Sequence, residues 1–263
     1  MTLPSPTTAE EFAALEHLNT YGGNPVSRSA PGVLVKFGCD HDAEVRALQF
    51  VHGRLSVPTP RVLHHAPFTD AVVAPWDWME GVWYLFMEEC PGVPLETVIG
   101  GISPTEFDHI ANQLLVIIDE MRSYTSKTIG SVTGGPYDNR FMSFPWHPPH
   151  AFPSIKEYLN HYRGMFLEFC GPEFAKELFS HFPTDSQVHF THGDLLPQNI
   201  LVDGSKVTAI IDWETAVYYP KFWEYCQMHD PGLMTPACIS KTSRNLSQLI
   251  YFSQLVLAFP QIT

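Results

Sequence analysis

Two stretches decide how this chain is read: FTHGDLLPQNILV from Phe190 to Val202, and IIDWE from Ile210 to Glu214. Val188–Phe190 and Ile200–Val202 are short β-branched and aromatic runs, and after an Asp203-Gly204 turn Val207–Ile211 forms another. The polar residues therefore fall on the connections. Asp194 and Asn199 lie five apart between two strands, and Asp212 ends the next one. Loops and strand ends are where a scaffold can offer polar groups to a ligand while its flanks stay buried. A lone aspartate there is commonly a turn residue or a cap. Two aspartates and an asparagine in this arrangement point to one shared chemistry.

Phosphoryl transfer is a chemistry that such a set would serve. The reaction asks little covalent help of a protein: a carboxylate beside the acceptor hydroxyl, and oxygen ligands that hold magnesium against nucleotide phosphates. Asp194 can supply the first, and Asn199 and Asp212 the second. A catalytic aspartate and a metal-binding asparagine have the same spacing in protein kinases, where a later aspartate completes the set.

Further out, Val33, Val35 and Phe37 alternate with Leu34 and Lys36, as in a strand, and a helix is expected from Asp42 to Leu55, before Pro58 and Pro60. Glu44 shares the helical stripe of Leu48, Val51 and Leu55, so its carboxylate faces inward. An inward carboxylate needs a partner, and Lys36 on the preceding strand is the candidate. Thr8 and Glu11 have capping-box spacing, with Phe12, Leu15 and Leu18 recurring at helical intervals, which predicts a first helix ended by Gly22-Gly23. Strands are expected at Arg61–His65 and Val82–Met87. Helices are expected over Pro104–Met121, over Ser154–Phe182 and from Pro220 onward, with a Gly- and Pro-rich loop at Gly130–Pro153. Strands first and helices later give an α+β chain of two lobes divided near residue 90, at 1–90 and 91–263.

His-Gly-Asp at 192–194 and Ile-Asp-Trp-Glu at 211–214, with VLVKFG at Val33–Gly38, the helix of Glu44, FMEECPG at Phe86–Gly92 and FWEY at Phe222–Tyr225, resemble the aminoglycoside phosphotransferase and choline-kinase-like superfamily. Nearly the whole chain is covered, and the pattern is similar to fungal phosphotransferase-family proteins. The resemblance implies a two-lobed protein-kinase-like fold, with an abridged β-rich N-lobe and a mainly helical C-lobe. It implies Mg2+ and ATP or GTP as cofactors, with Lys36, placed by Glu44, gripping the α- and β-phosphates and His192 organising the catalytic loop. An interlobe hinge with backbone groups of Glu88 and Cys90 would bond the purine. No GxGxxG precedes Lys36, so the loop over the phosphates is expected within Asn24–Pro31, with Ser27, Arg28 and Ser29 as donors. Acceptor residues are expected at Asp138 and Arg140, and at Glu214, Tyr218, Trp223 and Glu224, where acids beside aromatics suit an ammonium group. The function implied is transfer to a hydroxyl of a small molecule, amine-bearing molecules included. The alternatives are a non-catalytic nucleotide-binding pseudokinase, or a biosynthetic enzyme that uses the fold for other chemistry.

Bulk composition agrees. A net charge of -13 disfavours a nucleic acid polymer as partner, which would need clustered Lys and Arg. The 5 cysteines are scattered without a CxxC pair, as in a reducing compartment. The N-terminus has no basic and apolar signal pattern, and no run suits a bilayer, so a cytoplasmic location away from membranes is expected.

Overall fold

The structure is a computed structural model, and it describes residues 14–18, 24–38, 41–67, 83–135, 137, 148, 150–167, 171–180 and 182–224. The first sheet has five antiparallel strands in the order β1-β2-β3-β5-β4: β1 Glu16–His17, β2 Val26–Ala30, β3 Val33–Gly38, β4 Val62–Pro67 and β5 Trp83–Glu88. Helix α1, Asp42–Val51, follows β3 and turns Glu44, Val45, Leu48 and Val51 inward. It stops earlier than its apolar stripe, at Gly53, whose φ of 73° is the left-handed conformation that closes helices.

The first helix is not continued where the structure describes it. Glu16 pairs with Arg28 and His17 with Ser27, so this piece is an edge strand. Leu15 packs against the cluster of Val35, Phe37 and Phe86, and sheet pairing overrides the helical spacing. Thr8, Glu11 and the Gly22-Gly23 stop lie outside the described residues.

Beyond the first sheet, β6 (Val93–Pro94) leads into α2 (Leu95–Val98) and then α3 (Pro104–Ser123). Ser103 caps α3 through a complete capping box with Glu106, and Pro104 opens its first turn. The expected helical region at 154–182 is two helices, α4 (Ile155–Phe166) and α5 (Pro172–Ser180), divided near Gly171-Pro172. Strands β7 (Thr125–Ser126), β8 (Val188–Thr191) and β11 (Val217–Pro220) form one three-stranded sheet in the order β11-β8-β7. Strands β9 (Ile200–Asp203) and β10 (Lys206–Ile210) join β6 in another. Pro220 closes β11, the chain becomes helical at Trp223 and Glu224, and the tail beyond 224 lies outside the described residues.

The main core joins the two lobes. Leu48 and Val51 of α1 share a cluster with Ile110, Leu114 and Ile117 of α3 and with Phe190, Leu195, Ile200 and Trp213 around the 190–214 stretch. Phe190 and Trp213 are fully buried with stacked rings. Burying a Phe side chain stabilises a fold by roughly 1.5–3 kcal/mol, so the strands flanking the polar loop are firmly seated. No helix among the described residues is long and apolar enough to cross a membrane.

Candidate active site

Strand β8 delivers the chain into the turn His192-Gly193-Asp194, and a 3-10 turn at Pro197–Asn199 returns it to β9. Gly193 has a φ of 77°, and a Cβ there would stand 2.5 Å from the carbonyl oxygen of Thr215. Only glycine fits both the conformation and the space. His192 is fully buried and is bonded at every polar atom. Its N–H donates to Glu224 at 2.9 Å, and its carbonyl accepts from Thr215 Oγ1 at 3.2 Å. The backbone N–H of Asp194 donates to Nδ1 at 3.2 Å, so the ring proton resides on Nε2, which donates to the carbonyl of Ile211 at 3.0 Å. Burial pulls the His192 pKa down to about 4, so the ring is neutral at physiological pH. It acts as a brace that ties the turn to the residue before Asp212.

Asn199 holds Asp194 directly. Its side-chain nitrogen donates to the Asp194 carbonyl at 2.9 Å and to Oδ2 at 2.8 Å. The amide carbonyl oxygen of Asn199 is then left to serve as an acceptor or a cation ligand.

Across the site, β3 and α1 bring Lys36 and Glu44 together at 2.8 Å, the pair expected from the inward stripe. The Lys36 ammonium also meets Asp212 Oδ1 at 2.8 Å and Glu214 Oε2 at 2.9 Å. Burial pulls the Lys36 pKa down, but Glu44, Asp212 and Glu214 together carry it well above its ordinary value. Burial pushes the Glu44 carboxyl up, to about 7, against the pull of Lys36. Asp212 is the sole non-glycine among the described residues at positive φ, 63°. That conformation costs about 1–3 kcal/mol in a residue of this kind, and here it swings a strand-end carboxylate toward Lys36. The oxygens of Glu44, Asp212 and Glu214 lie within 4.8 Å of one another. Clustered carboxylates are hard oxygen donors of the kind that fit magnesium.

Other expected site residues are placed differently. Glu214 accepts from Lys36 at 2.9 Å, so its carboxylate joins the charge cluster around that ammonium. Glu224 is 3% exposed and turned to the amides of His192 and Gly193, so it cannot cradle an ammonium group. Tyr218 packs edge-on against Phe50 and Phe190 at the main core, and Trp223 stacks on Tyr219 in an apolar cluster with Tyr158. Asp138 and Arg140 lie outside the described residues.

Ser27, Arg28 and Ser29 form no loop. Gly32, at a φ of 75°, makes the β2–β3 turn, so all three residues lie on β2. Ser27 is buried against His17 Nδ1 at 2.7 Å, Arg28 is clamped by Glu16 and Glu89, and Ser29 donates to the Val33 carbonyl at 3.3 Å. Residues 19–23, in the connection between β1 and β2, lie outside the described residues. At the expected hinge, the N–H of Glu88 donates to Arg61 at 3.0 Å and that of Glu89 to Gly32 at 3.0 Å. Cys90 is half-buried, and burial, with Glu88 adding, pushes its thiol up to about 11.

Two contributors escaped the sequence reading. Thr215 closes the turn from the connection before β11, and no local pattern announces it. His41, before α1, is 3% exposed, and its Nε2 has no hydrogen-bond partner. Burial and then Lys36 pull its pKa down to about 3, which places it beside the same charge cluster.

Residues 40–228 match the model of a phosphotransferase enzyme family. Among solved structures, the chain is similar to a thermostable mutant of aminoglycoside phosphotransferase APH(4)-Ia in its apo form, at 15% identity and a TM-score of 0.55, over 94% of this chain and 84% of that one. It is also similar to the GDP and kanamycin complex of APH(2")-IIia, at 18% identity and a TM-score of 0.55, over 95% and 84% of the two chains. A ternary complex of the first enzyme with ADP and hygromycin B gives a TM-score of 0.56 at 15% identity, over 95% of this chain and 79% of that one. These likenesses show the two-lobed kinase-like fold. No curated protein matches the chain.

Proposed function

The chain belongs to the phosphotransferase enzyme family, and from that premise we propose that it is a small-molecule kinase, moving the terminal phosphoryl group of ATP or GTP to a hydroxyl. The observation that carries the reading is the joined pair of clusters: Asp194 braced by Asn199, and Asp212 meeting the Lys36–Glu44 pair. Asp194 orients the acceptor hydroxyl and takes its proton as the oxygen bonds to the γ-phosphorus. The bond to the β-phosphate oxygen then breaks, leaving a nucleoside diphosphate. Asn199 and Asp212, with Glu214 beside them, would hold Mg2+, which supplies positive charge against the phosphates. Lys36 would grip the α- and β-phosphates, and Glu88 and Cys90 remain the proposed purine contacts through backbone groups.

The acceptor is defined here only as a hydroxylated small molecule. Glu224 is committed elsewhere, and the net charge of -13, with Asp138 and Arg140 still proposed at the acceptor, supports an amine-bearing one. Nucleotide binding is tested by thermal unfolding with ATP or GTP, with and without magnesium. A ligand at a hundredfold its dissociation constant stabilises a fold by about 2.7 kcal/mol, a shift of several degrees. That shift should need magnesium and should vanish in Asp212→Asn. A nucleotide shift that ignores magnesium and survives this substitution would refute the metal assignment.

A further inference from the structure

The crossing between the lobes, residues 89–92, is anchored at both ends. At its far end the Pro91 carbonyl accepts from Thr208 Oγ1 of β10 at 2.6 Å. A Cβ on Gly92, at a φ of 110°, would stand 2.9 Å from the Val202 carbonyl oxygen of β9. Pro91 and Gly92 therefore belong with the second lobe. Glu89, at the near end, belongs with the first. Its N–H donates to the Gly32 carbonyl at 3.0 Å, and its carboxylate accepts from Arg28 Nη2 at 2.5 Å and Nε at 3.2 Å. Cys90 lies between these anchors, and its N–H has no backbone partner among the described residues.

Two ion pairs grip this region, and they are unequal. Arg61 meets a single oxygen of Glu88, with side chains 57% and 43% exposed. An exposed pair of that kind contributes little. Arg28 takes both oxygens of Glu89 in a fork and is better enclosed, at 35% and 28%. A two-pronged guanidinium fork fixes direction as well as distance. Arg28 is itself steadied by Glu16 on β1. It holds the Glu89 carboxyl below its ordinary value, and the Gly32 N–H adds to that effect. Strands β1 and β2 and the turn at Gly32 are thereby tied to the residue beside Cys90.

We propose that Arg28 is a positioning residue for the nucleotide, pinning Glu89 so that the backbone of Glu88 and Cys90 on either side is aimed at the purine. Its guanidinium is spent on Glu89 and Glu16, so it acts on the nucleotide through Glu89. This inference rests on the kinase reading, in which Glu88 and Cys90 hold the base. Freeing Glu89 leaves Lys36 and Asp212 as they are, so the loss should fall on the base and spare the phosphates. A lost hydrogen bond to the base weakens binding by about tenfold.

The test is calorimetric binding of ATP, GTP and inorganic tripolyphosphate to the full chain, with magnesium. Arg28→Met and Glu89→Gln should each weaken the nucleotide that wild type binds by about tenfold. Tripolyphosphate has no base, and its affinity should stay within about twofold of wild type in both variants. The two changes together should cost no more than either alone, as for one shared contact. Glu16→Gln, which touches only Arg28 Nη1, should leave nucleotide affinity within about twofold of wild type. In nucleotide hydrolysis with water as the acceptor, Arg28→Met should raise KM about tenfold and leave kcat nearly unchanged.

Nucleotide affinity that is unchanged in Arg28→Met and Glu89→Gln would overturn the proposal. So would an equal loss for tripolyphosphate, which marks a general loosening of the fold, or losses that add in the double variant. Should Arg28→Met not fold, Glu89→Gln, of the same shape as the native side chain, decides alone by its nucleotide and tripolyphosphate affinities. A wild-type chain that binds neither nucleotide overturns the purine assignment and this inference with it. One that binds nucleotide and never transfers its γ-phosphate counts against the kinase reading alone, and the affinities still decide the role of Arg28.

Discussion

Replacing Lys36 with Met removes the single ammonium that three carboxylates share. Glu44 is the partner that matters for stability, because its side chain is 2% exposed, whereas Asp212 at 35% and Glu214 at 43% are screened by water. Leaving a buried partner uncompensated costs about 3–5 kcal/mol. In a chain of this size each kcal/mol moves the melting temperature by roughly 2–4 °C, so a loss on the order of 10 °C is expected.

Glu44 can escape part of that cost by taking up a proton. Its folded pKa is already pushed up to about 7 by burial, and losing Lys36 raises it further. A carboxyl whose folded pKa lies above its unfolded value stabilises the fold at low pH and loses that contribution as pH rises between the two values. The destabilisation of Lys36→Met should therefore be smaller at pH 6 than at pH 8. The same substitution leaves oxygens of Glu44, Asp212 and Glu214 within 4.8 Å of one another with no cation among them. Magnesium without nucleotide should then raise the melting temperature of the variant more than that of wild type. Differential scanning fluorimetry at the two pH values, with a magnesium titration, reads all three effects. A variant within about 2 °C of wild type at pH 8, a shift too small for a lost buried partner, would refute the reasoning. So would one that magnesium stabilises no more than it does wild type.

Two further outcomes follow from the turn. Burial lifts the Glu224 pKa to about 7, so the wild-type fold loses stability from about pH 4.5 to pH 7, by up to about 3 kcal/mol from this group. Glu224→Gln removes that loss, so its melting temperature relative to wild type should rise between pH 5 and pH 8; a flat difference would contradict the buried charge. Gly193→Ala forces a Cβ to within 2.5 Å of the Thr215 carbonyl at a positive φ. It should destabilise the chain by about 2 kcal/mol or more in urea unfolding, and an unchanged midpoint would show that the two loops can move apart there.

The parts of the site that were legible in sequence are those fixed by short covalent spacing. Asp194 and Asn199 are five apart on one loop, so their side-chain bond needs only local geometry. Glu44 was legible because a helical stripe states which way it faces, and a buried acid asks for a base. Glu214 is expected at the acceptor from the aromatics that follow it, and its bond to Lys36 joins residues too far apart in sequence to leave a local trace. Glu224 was read as a surface acid because acids beside aromatics look alike in sequence whether the aromatics line a pocket or a core. Ser27, Arg28 and Ser29 are expected on a loop, but the chain turns only at Gly32, and all three lie on β2. The helix expected at Leu15–Leu18 failed for a related reason: pairing partners of an edge strand are distant in sequence and leave no periodic trace.

Phosphoryl transfer itself is tested most directly by following radiolabelled γ-phosphate from ATP and from GTP, with magnesium, across a panel of hydroxylated acceptors that includes water. Wild type should move the label only when magnesium is present. Asp194→Asn should bind nucleotide as well as wild type, by thermal shift, yet turn over about 10²-fold more slowly. An Asp194→Asn variant with undiminished turnover, or a wild-type chain that binds both nucleotides and never releases or transfers the label, would contradict the assignment.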